Sequence, residues 1–465
     1  MKVLNNRLRR AGLGLLVAGS LLTAGTGALA QAPFGELDRA AEASVSFAAA
    51  ERNQPILAGG EASIAGEGFR PGQQVTLLYG TTPLTTAPLV ADGEGRIAGT
   101  VPIPAGAVTG THPILVVAEA PYFATVAELK VSPTVPLAGA ERYDITKAEV
   151  VRGLYQSAYS HANDALFATA AIGRPPVRES ELVKLDPRDL SVLARSTPPT
   201  IEGGEGVYAV YGLGLDDAKG TVWTTNTRQN TVAVYNQSDL SLIKQFPEGT
   251  VNHARDVIVD AGLGKAYASA ALTPEIVVFD TETLEPAGTI AIPALRRGEE
   301  FSVFSLSLDE EAHRLYAVSM ATSEVAVIDT RTDEVEHVFA VPGARSAIGI
   351  SHDPQTGRIF VAAQGSDNLV VLDGASGAVI ADTPIGAGAL NVAFDPVTRH
   401  AYVASRVAGT FTVTDADGNI LANLGPAPLA NHVALGKDGV VYAVDKSAGV
   451  READNDVIKR IEPRG

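Results

Sequence analysis

The sequence predicts an all-β chain: a seven-bladed β-propeller preceded by a small β-sandwich. Three observations predict it. Six turn residues are each followed seven positions later by a large aromatic ring: Ser160/Phe167, Asp216/Trp223, Asp260/Tyr267, Asp309/Tyr316, Asp353/Phe360 and Asp395/Tyr402, while Tyr442 follows Gly436 by six. Successive aromatics lie 56, 44, 49, 44, 42 and 40 residues apart, about the length of one four-stranded blade. Ahead of this repeat stand short alternating segments that occur once only, a unit of about 90 residues that suits a two-layer sandwich.

Taken in order, residues 1–30 read as an export signal. Lys2, Arg7, Arg9 and Arg10 form a positive start, an apolar run extends from Leu13 to Leu22, and Ala28-Leu29-Ala30 offers small residues for cleavage before Gln31. The run is short and rich in Gly and Ala, so no membrane insertion is expected after cleavage and the product is expected to be periplasmic or secreted. Residues 31–42 form an Ala-rich, flexible lead-in. Within 43–131, Ala62–Ile64, Gln74–Leu78, Arg96–Pro102, Pro113–Ala118 and Thr125–Val131 are expected strands, with turns at Pro71-Gly72 and Asp92-Gly93. Gly66-Glu67-Gly68-Phe69-Arg70-Pro71-Gly72 before Val75, and Ala91-Asp92-Gly93-Glu94-Gly95 before Val101-Pro102, resemble bacterial immunoglobulin-like modules, which implies a spacer or adhesion unit. Residues 132–141, with Pro133 and Pro136, are the expected linker.

Residues 142–465 carry the propeller pattern. Each unit has an inner strand ending at the turn residue, then the aromatic-bearing strand, then a third strand ending in Asp186, Asn236, Asp280, Asp329, Asp373 or Asp415. Along the inner strands, positions one and three before the turn are mostly apolar, as in Leu213/Leu215 and Val257/Val259. Two before it they are mostly small: Ala158, Gly214, Ser307, Ser351, Ala393 and Ala434, with Ile258 the exception. Alternate positions face opposite sides of a sheet, and wedge-shaped blades leave least room near the axis. The last unit runs out of chain. Asp456–Glu462 is its expected third strand, and Tyr143–Val150 supplies the missing outer strand, joining the two ends and hiding two sheet edges.

Val222-Trp223-Thr224-Thr225-Asn226-Thr227 with Thr231-Val232-Ala233-Val234-Tyr235, Ala344-Arg345-Ser346-Ala347-Ile348-Gly349-Ile350 and Asp353-Pro354-Gln355-Thr356-Gly357 resemble the YncE-like, YVTN-repeat family of seven-bladed propellers. Val361-Ala362-Ala363 and Ala266-Tyr267-Ala268-Ser269 only approximate its Tyr-Val-Thr-Asn signature. The resemblance implies an exported, non-catalytic binding protein, and suggests nucleic-acid binding as a further reading.

Composition narrows the chemistry. There is no cysteine, so a disulfide framework and a thiol nucleophile are excluded. Signal removal moves the formal charge from −17 to −21, which opposes nonspecific attraction to nucleic acid or anionic lipid. Gly-x-Ser-x-Gly and phosphate-cradling loops are absent, and a serine triad needs a nearby His that sequence cannot place. The eight histidines show no paired metal spacing. Asp415-Ala416-Asp417-Gly418-Asn419 alternates like a calcium loop, but Ile420 and Leu421 follow where ligands should be, so a hairpin turn is expected. The cluster Glu452/Asp454/Asp456 is more open, though here too no metal site is assigned. No cofactor and no catalytic residue is assigned.

Propeller geometry points instead to the face where chains enter the inner strands. It is expected to gather Tyr211, His253, Arg255, Arg345, Asn391, Asn431 and His432 at the channel mouth, with Arg174, Arg178, Arg228, Arg296, Arg297, Arg406, Lys446 and Arg451 farther out. The opposite face is expected to hold acidic turns. Arginines at the mouth of an acidic protein suit a small anionic ligand, unless Arg255 and Arg345 pair with blade-edge carboxylates. The expected function is therefore an exported non-enzymatic binding or scaffold protein for such a ligand or for a cell-envelope protein. The alternatives are a lyase or hydrolase using His253 or His432, and, least favoured by charge, a nucleic-acid binder.

Overall fold

The computed structural model describes residues 36–38, 42–446 and 454–464. The expected signal, most of the lead-in, and Arg451 and Glu452 lie outside the described residues. The fold is all-β, with two short 3-10 turns as its helical elements among the described residues.

Two sheets are built from 44–131. One pairs Ser44–Ala49, Glu61–Glu67 and Ile97–Pro102; the other is centred on Gln74–Tyr79, Gly110–Glu119 and Phe123–Val131. Alternation buries Ala62 and Ile64 from the first against Val75, Leu77 and Val116 from the second, in one apolar core. The Asp92–Gly95 turn is closed by Asp92, whose Oδ1 accepts the N–H groups of Glu94 and Arg96. Gly95 is required there: its φ is +76°, and a Cβ would lie 2.2 Å from the Phe69 carbonyl oxygen.

The rest of the described chain forms seven four-stranded antiparallel sheets. We number them I (154–196), II (213–245), III (254–291), IV (303–340), V (347–384), VI (389–424) and VII (430–463). In sheet VII the fourth strand is Tyr143–Glu149, paired residue for residue with Val457–Pro463. Chain start and chain end of this region thus share one sheet. The Asp456 carboxylate reinforces the seam by accepting the N–H groups of Gly153 (2.7 Å) and Leu154 (3.0 Å) at the start of sheet I.

The recurrent turn residue and aromatic have separate physical jobs. Asp216, Asp260, Asp309 and Asp395 accept backbone N–H groups two to three residues on, at 2.9–3.1 Å, so each closes its own turn. The aromatics fill the spaces between sheets: Phe167, Trp223, Tyr267, Phe360 and Tyr402 have no exposed surface. Burying a ring of this size stabilises by roughly 1.5–3 kcal/mol, so a repeat every forty-odd residues marks where neighbouring sheets are glued. Third strands such as Thr231–Asn236 and Glu324–Asp329 are covered on both faces, which is why they read as apolar runs.

The inner strands pack side by side in chain order, and that of sheet VII packs on that of sheet I. Crowding between them explains the small residues two before the turn. A Cβ on Gly214 would meet the Val257 carbonyl oxygen at 2.7 Å. The exception, Ile258, is half-buried and packs against the apolar cluster shared by sheets III and IV.

Residues 132–141 are held against sheet VI rather than spanning free space. Ala138 pairs with Asn423, whose Nδ2 donates to the Val135 carbonyl at 2.9 Å. A second tie joins the regions where Lys130 Nζ meets the buried Asp367 carboxylate at 2.8 Å.

Candidate functional site

The innermost strands of all seven sheets line a channel of about 440 Å³. Near its chain-entering end, the inner strands of sheets I, III, IV, V, VI and VII each shift register just before the channel-lining segment. Such bulges bend a strand and re-aim its side chains. Here they occur where residues four and five before the turn turn toward the mouth.

Residues four before the turn form a polar collar: Gln156, Asp256, Ser305, Asn391 and His432 line the channel. Three of them stitch neighbouring inner strands together. Gln156 Oε1 accepts the Leu213 N–H (2.9 Å), Asp256 Oδ2 that of Leu306 (3.0 Å), and Asn391 Oδ1 that of Val433 (2.9 Å). Burial pushes the Asp256 carboxyl upward, opposed by Arg255 and by its own hydrogen bonds. Burial and then Arg255 push His432 down to about 3. Its Nδ1 accepts a long (3.4 Å) contact from the Ser157 N–H.

Residues five before the turn make the rim: Tyr155, Tyr211, Arg255, Phe304 and Asn431. The Arg255 guanidinium lies 5.1 Å from the Tyr155 ring and 5.9 Å from the Phe304 ring. Tyr211 meets Tyr155 edge-on at 5.0 Å. Lys446 Nζ stands 5.0 Å from the same Tyr155 ring. Arg406 Nη1 donates to Asn431 Oδ1 at 2.9 Å, and Asn431 Nδ2 donates to the Tyr155 carbonyl at 2.6 Å. Two cations, Arg255 and Lys446, therefore face one aromatic ring, and a third, Arg406, is tied to the same residue through Asn431.

These cations repel one another and lose water together. Burial, then Arg406 and, more weakly, Arg255 push Lys446 down to about 8, with Asp456 partly opposing. Burial and Arg255 likewise lower Arg406. Among the described residues no carboxylate stands within ion-pair distance of Arg255, Arg406 or Lys446, and the buried Nη1 of Arg255 has no hydrogen-bond partner. A buried guanidinium N–H without an acceptor is costly. The cluster is a site with positive charge to spare.

Of the sequence-predicted residues, the structure brings Tyr211, Arg255 and Asn431 to the rim and Asn391 and His432 to the collar. His253 sits one turn earlier, at φ 47°, its N–H bonded to Asn230 Oδ1 at 2.7 Å. Burial, Arg228 and Arg255 hold its imidazole below the usual range. Arg345 is elsewhere: its Nη2 pairs with the exposed Glu128 carboxylate at 2.8 Å, on the N-terminal sheets. Arg406 and Lys446, expected farther out, stand at the centre. Tyr155 and Phe304 were not anticipated, although both lie five residues before their turns, the same offset as Tyr211 and Arg255. Counting that offset in every repeat would have found them.

Among the described residues no cluster of three or more acidic or histidine side chains is placed to hold a metal ion. The Asp415 loop is a hairpin turn, with Asp415 Oδ1 accepting the N–H groups of Asp417 and Asn419.

No family model matches the chain. It is 26% identical over 336 residues to the uncharacterised protein YncE of Salmonella typhimurium, covering 68% of this chain and 90% of that protein, and equally so to YncE of Salmonella typhi. Among solved structures it resembles hydrazine synthase of Kuenenia stuttgartiensis (15% identity, TM-score 0.54, 67% of this chain and 97% of that one). It also resembles virginiamycin B lyase from Staphylococcus aureus (11% identity, TM-score 0.54, 69% of this chain and 100% of that one). At these identities the structural likeness speaks to fold alone. The chain is thus an all-β protein with propeller-type structural neighbours and a weak sequence similarity to YncE.

Proposed function

We propose that the chain is an exported binding protein whose seven sheets are the blades of a closed propeller, carried behind an immunoglobulin-like sandwich, and whose channel mouth captures a small anion. The observation that carries this reading is Arg255: its guanidinium lies between Tyr155 and Phe304, and its buried Nη1 has no acceptor among the described residues. Arg406 and Lys446 beside it add charge without a carboxylate partner among the described residues. A carboxylate or phosphate oxygen placed among them supplies the missing acceptor and relieves the mutual repulsion at once. Binding rather than acid–base chemistry suits this end of the channel, because an imidazole as acidic as that of His432 is a poor base at neutral pH. The positive start and apolar run within residues 1–30 support export to the periplasm or medium.

Calorimetric titration at low salt, with acetate, succinate and phosphate against wild type and Arg255→Met, tests the reading. Saturable binding of at least one anion, weakened about tenfold or more in Arg255→Met, is expected, since a charge-assisted pair contributes about 1.5–3 kcal/mol. Heats that match chloride at equal ionic strength for every anion sink it.

A further inference from the structure

The far end of the channel carries a second constellation. Ser307, two before the turn in sheet IV, and His352, one before the turn in sheet V, both line the cavity. Ser307 Oγ lies 2.9 Å from His352 Nδ1. The other ring nitrogen, Nε2, faces the Asp309 carboxylate at 3.7 Å, with both side chains largely buried. That distance is beyond a hydrogen bond, so Asp309 acts on the imidazole as a nearby negative charge. It favours the tautomer with its proton on Nε2, leaving Nδ1 as the acceptor for the serine hydroxyl. Tyr316 stacks on the imidazole at 5.2 Å and 21°, fixing the ring plane. The Leu306 N–H points out of the sheet IV ladder to Asp256. N–H directions alternate along an antiparallel strand, so the Leu308 N–H, next after the serine, faces the same free edge.

We propose that Ser307, His352 and Asp309 form an activated-serine site that hydrolyses a short-chain carboxylic ester entering the channel. Leu215, Leu308, Phe394 and Leu435 give that end an apolar wall for the acyl chain. Ser307 Oγ adds to the ester carbonyl while its proton passes to His352 Nδ1, and the Leu308 N–H faces the developing oxyanion. The C–OR bond breaks and the leaving alkoxide takes the proton from His352. Water, deprotonated by the same imidazole, then cleaves the acyl-serine, releasing the carboxylic acid and restoring the hydroxyl. This site is separate from the anion-binding mouth, and either can fail without the other.

The test is labelling of the intact protein with a small fluorophosphonate, with adducts mapped by peptide mass spectrometry. Ser351 is the internal control: it occupies the equivalent position in sheet V, but its Oγ accepts the Phe394 N–H at 3.0 Å. The expected result is one adduct on Ser307 and none on Ser351, abolished in Ser307→Ala and slowed at least about tenfold in His352→Gln. No adduct on Ser307 in the wild type, or equal labelling of Ser307 and Ser351, overturns the proposal. The wild-type result decides by itself even if His352→Gln fails to fold.

Discussion

Two arginines in this molecule sit on aromatic rings at opposite ends of the same channel, and they meet different fates. Arg399 lies 5.0 Å from the Phe394 ring, and both its terminal nitrogens bond the fully buried Asp353 carboxylate. Arg255 lies between Tyr155 and Phe304 with no carboxylate partner among the described residues. The ring contact is common to both, so stacking sets where a guanidinium sits and not whether it is available. Availability is decided by the turn. At the Arg399 end, the inner strands of sheets II to VI close with Asp216, Asp260, Asp309, Asp353 and Asp395, each of which accepts an N–H of its own turn. At the Arg255 end, the collar residues are Gln156, Ser305, Asn391, His432 and one carboxyl, Asp256, already engaged by the N–H groups of Val257 and Leu306.

The largest effect should come from breaking the satisfied pair. Asp353→Ala removes the partner of Arg399 and also the acceptor for Gln355 and Thr356, leaving a stacked cation without its counter-charge. Loss of one member of a buried pair costs about 3–5 kcal/mol. Because Arg399 retains partial exposure, about 3 kcal/mol is expected, read as a lower urea midpoint at unchanged slope. A loss below about 1 kcal/mol would show that the two ends are electrostatically equivalent after all.

The unsatisfied end should respond with the opposite sign. Lys446 is held near 8, below the ordinary lysine value of about 10.4. Between those values the folded protein binds fewer protons than the unfolded chain, so folding stability rises with pH across that window. Below it the ammonium is charged in both states and its repulsion with Arg406 and Arg255 is carried in full. Lys446→Met should therefore be neutral to stabilising at pH 7 and should abolish the rise between pH 8 and 10. Buried tyrosines such as Tyr235 and Tyr267, whose pKa values are raised by burial, pull stability down at still higher pH in both proteins. The difference between variant and wild type is the quantity to measure, by urea unfolding at several pH values. A wild-type curve parallel to that of Lys446→Met would mean that Lys446 is well solvated.

How much of this was legible in the sequence depends on the range of the interaction. The turn residue and the aromatic are local, since an Asp closing its own turn needs only the next few residues, and a ring on the following strand is fixed by that register. Hence the sheet positions could be read from spacing, and so could Tyr211, Asn391 and His432. Tyr155 and Phe304 lie at the same five-residue offset before Ser160 and Asp309 as Tyr211 and Arg255 before theirs, so the same spacing reaches them too. Lys446 and Arg406 come from loops between second and third strands, and how far a loop reaches inward is not periodic. Arg345 was misleading for a different reason. Its partner Glu128 is 217 residues away on the other region, and no repeat within 142–465 carries information about that surface.

Arg345 accordingly offers the smallest and sharpest discrimination. Its pair with Glu128 is solvent-exposed on both sides, with 53% and 58% of the side chains accessible, and exposed pairs contribute about 0–1 kcal/mol. Arg345→Ala should shift stability by no more than about 0.5 kcal/mol and leave anion affinity within about twofold, where Arg255→Met loses tenfold or more. The same calorimetric titration reads both. If Arg345→Ala matched Arg255→Met, the binding charge would have to lie toward the N-terminal sheets, near the Lys130–Asp367 tie. The mouth around Tyr155 would then be a structural cluster of stacked cations whose unpaired N–H groups are satisfied by water rather than by a ligand.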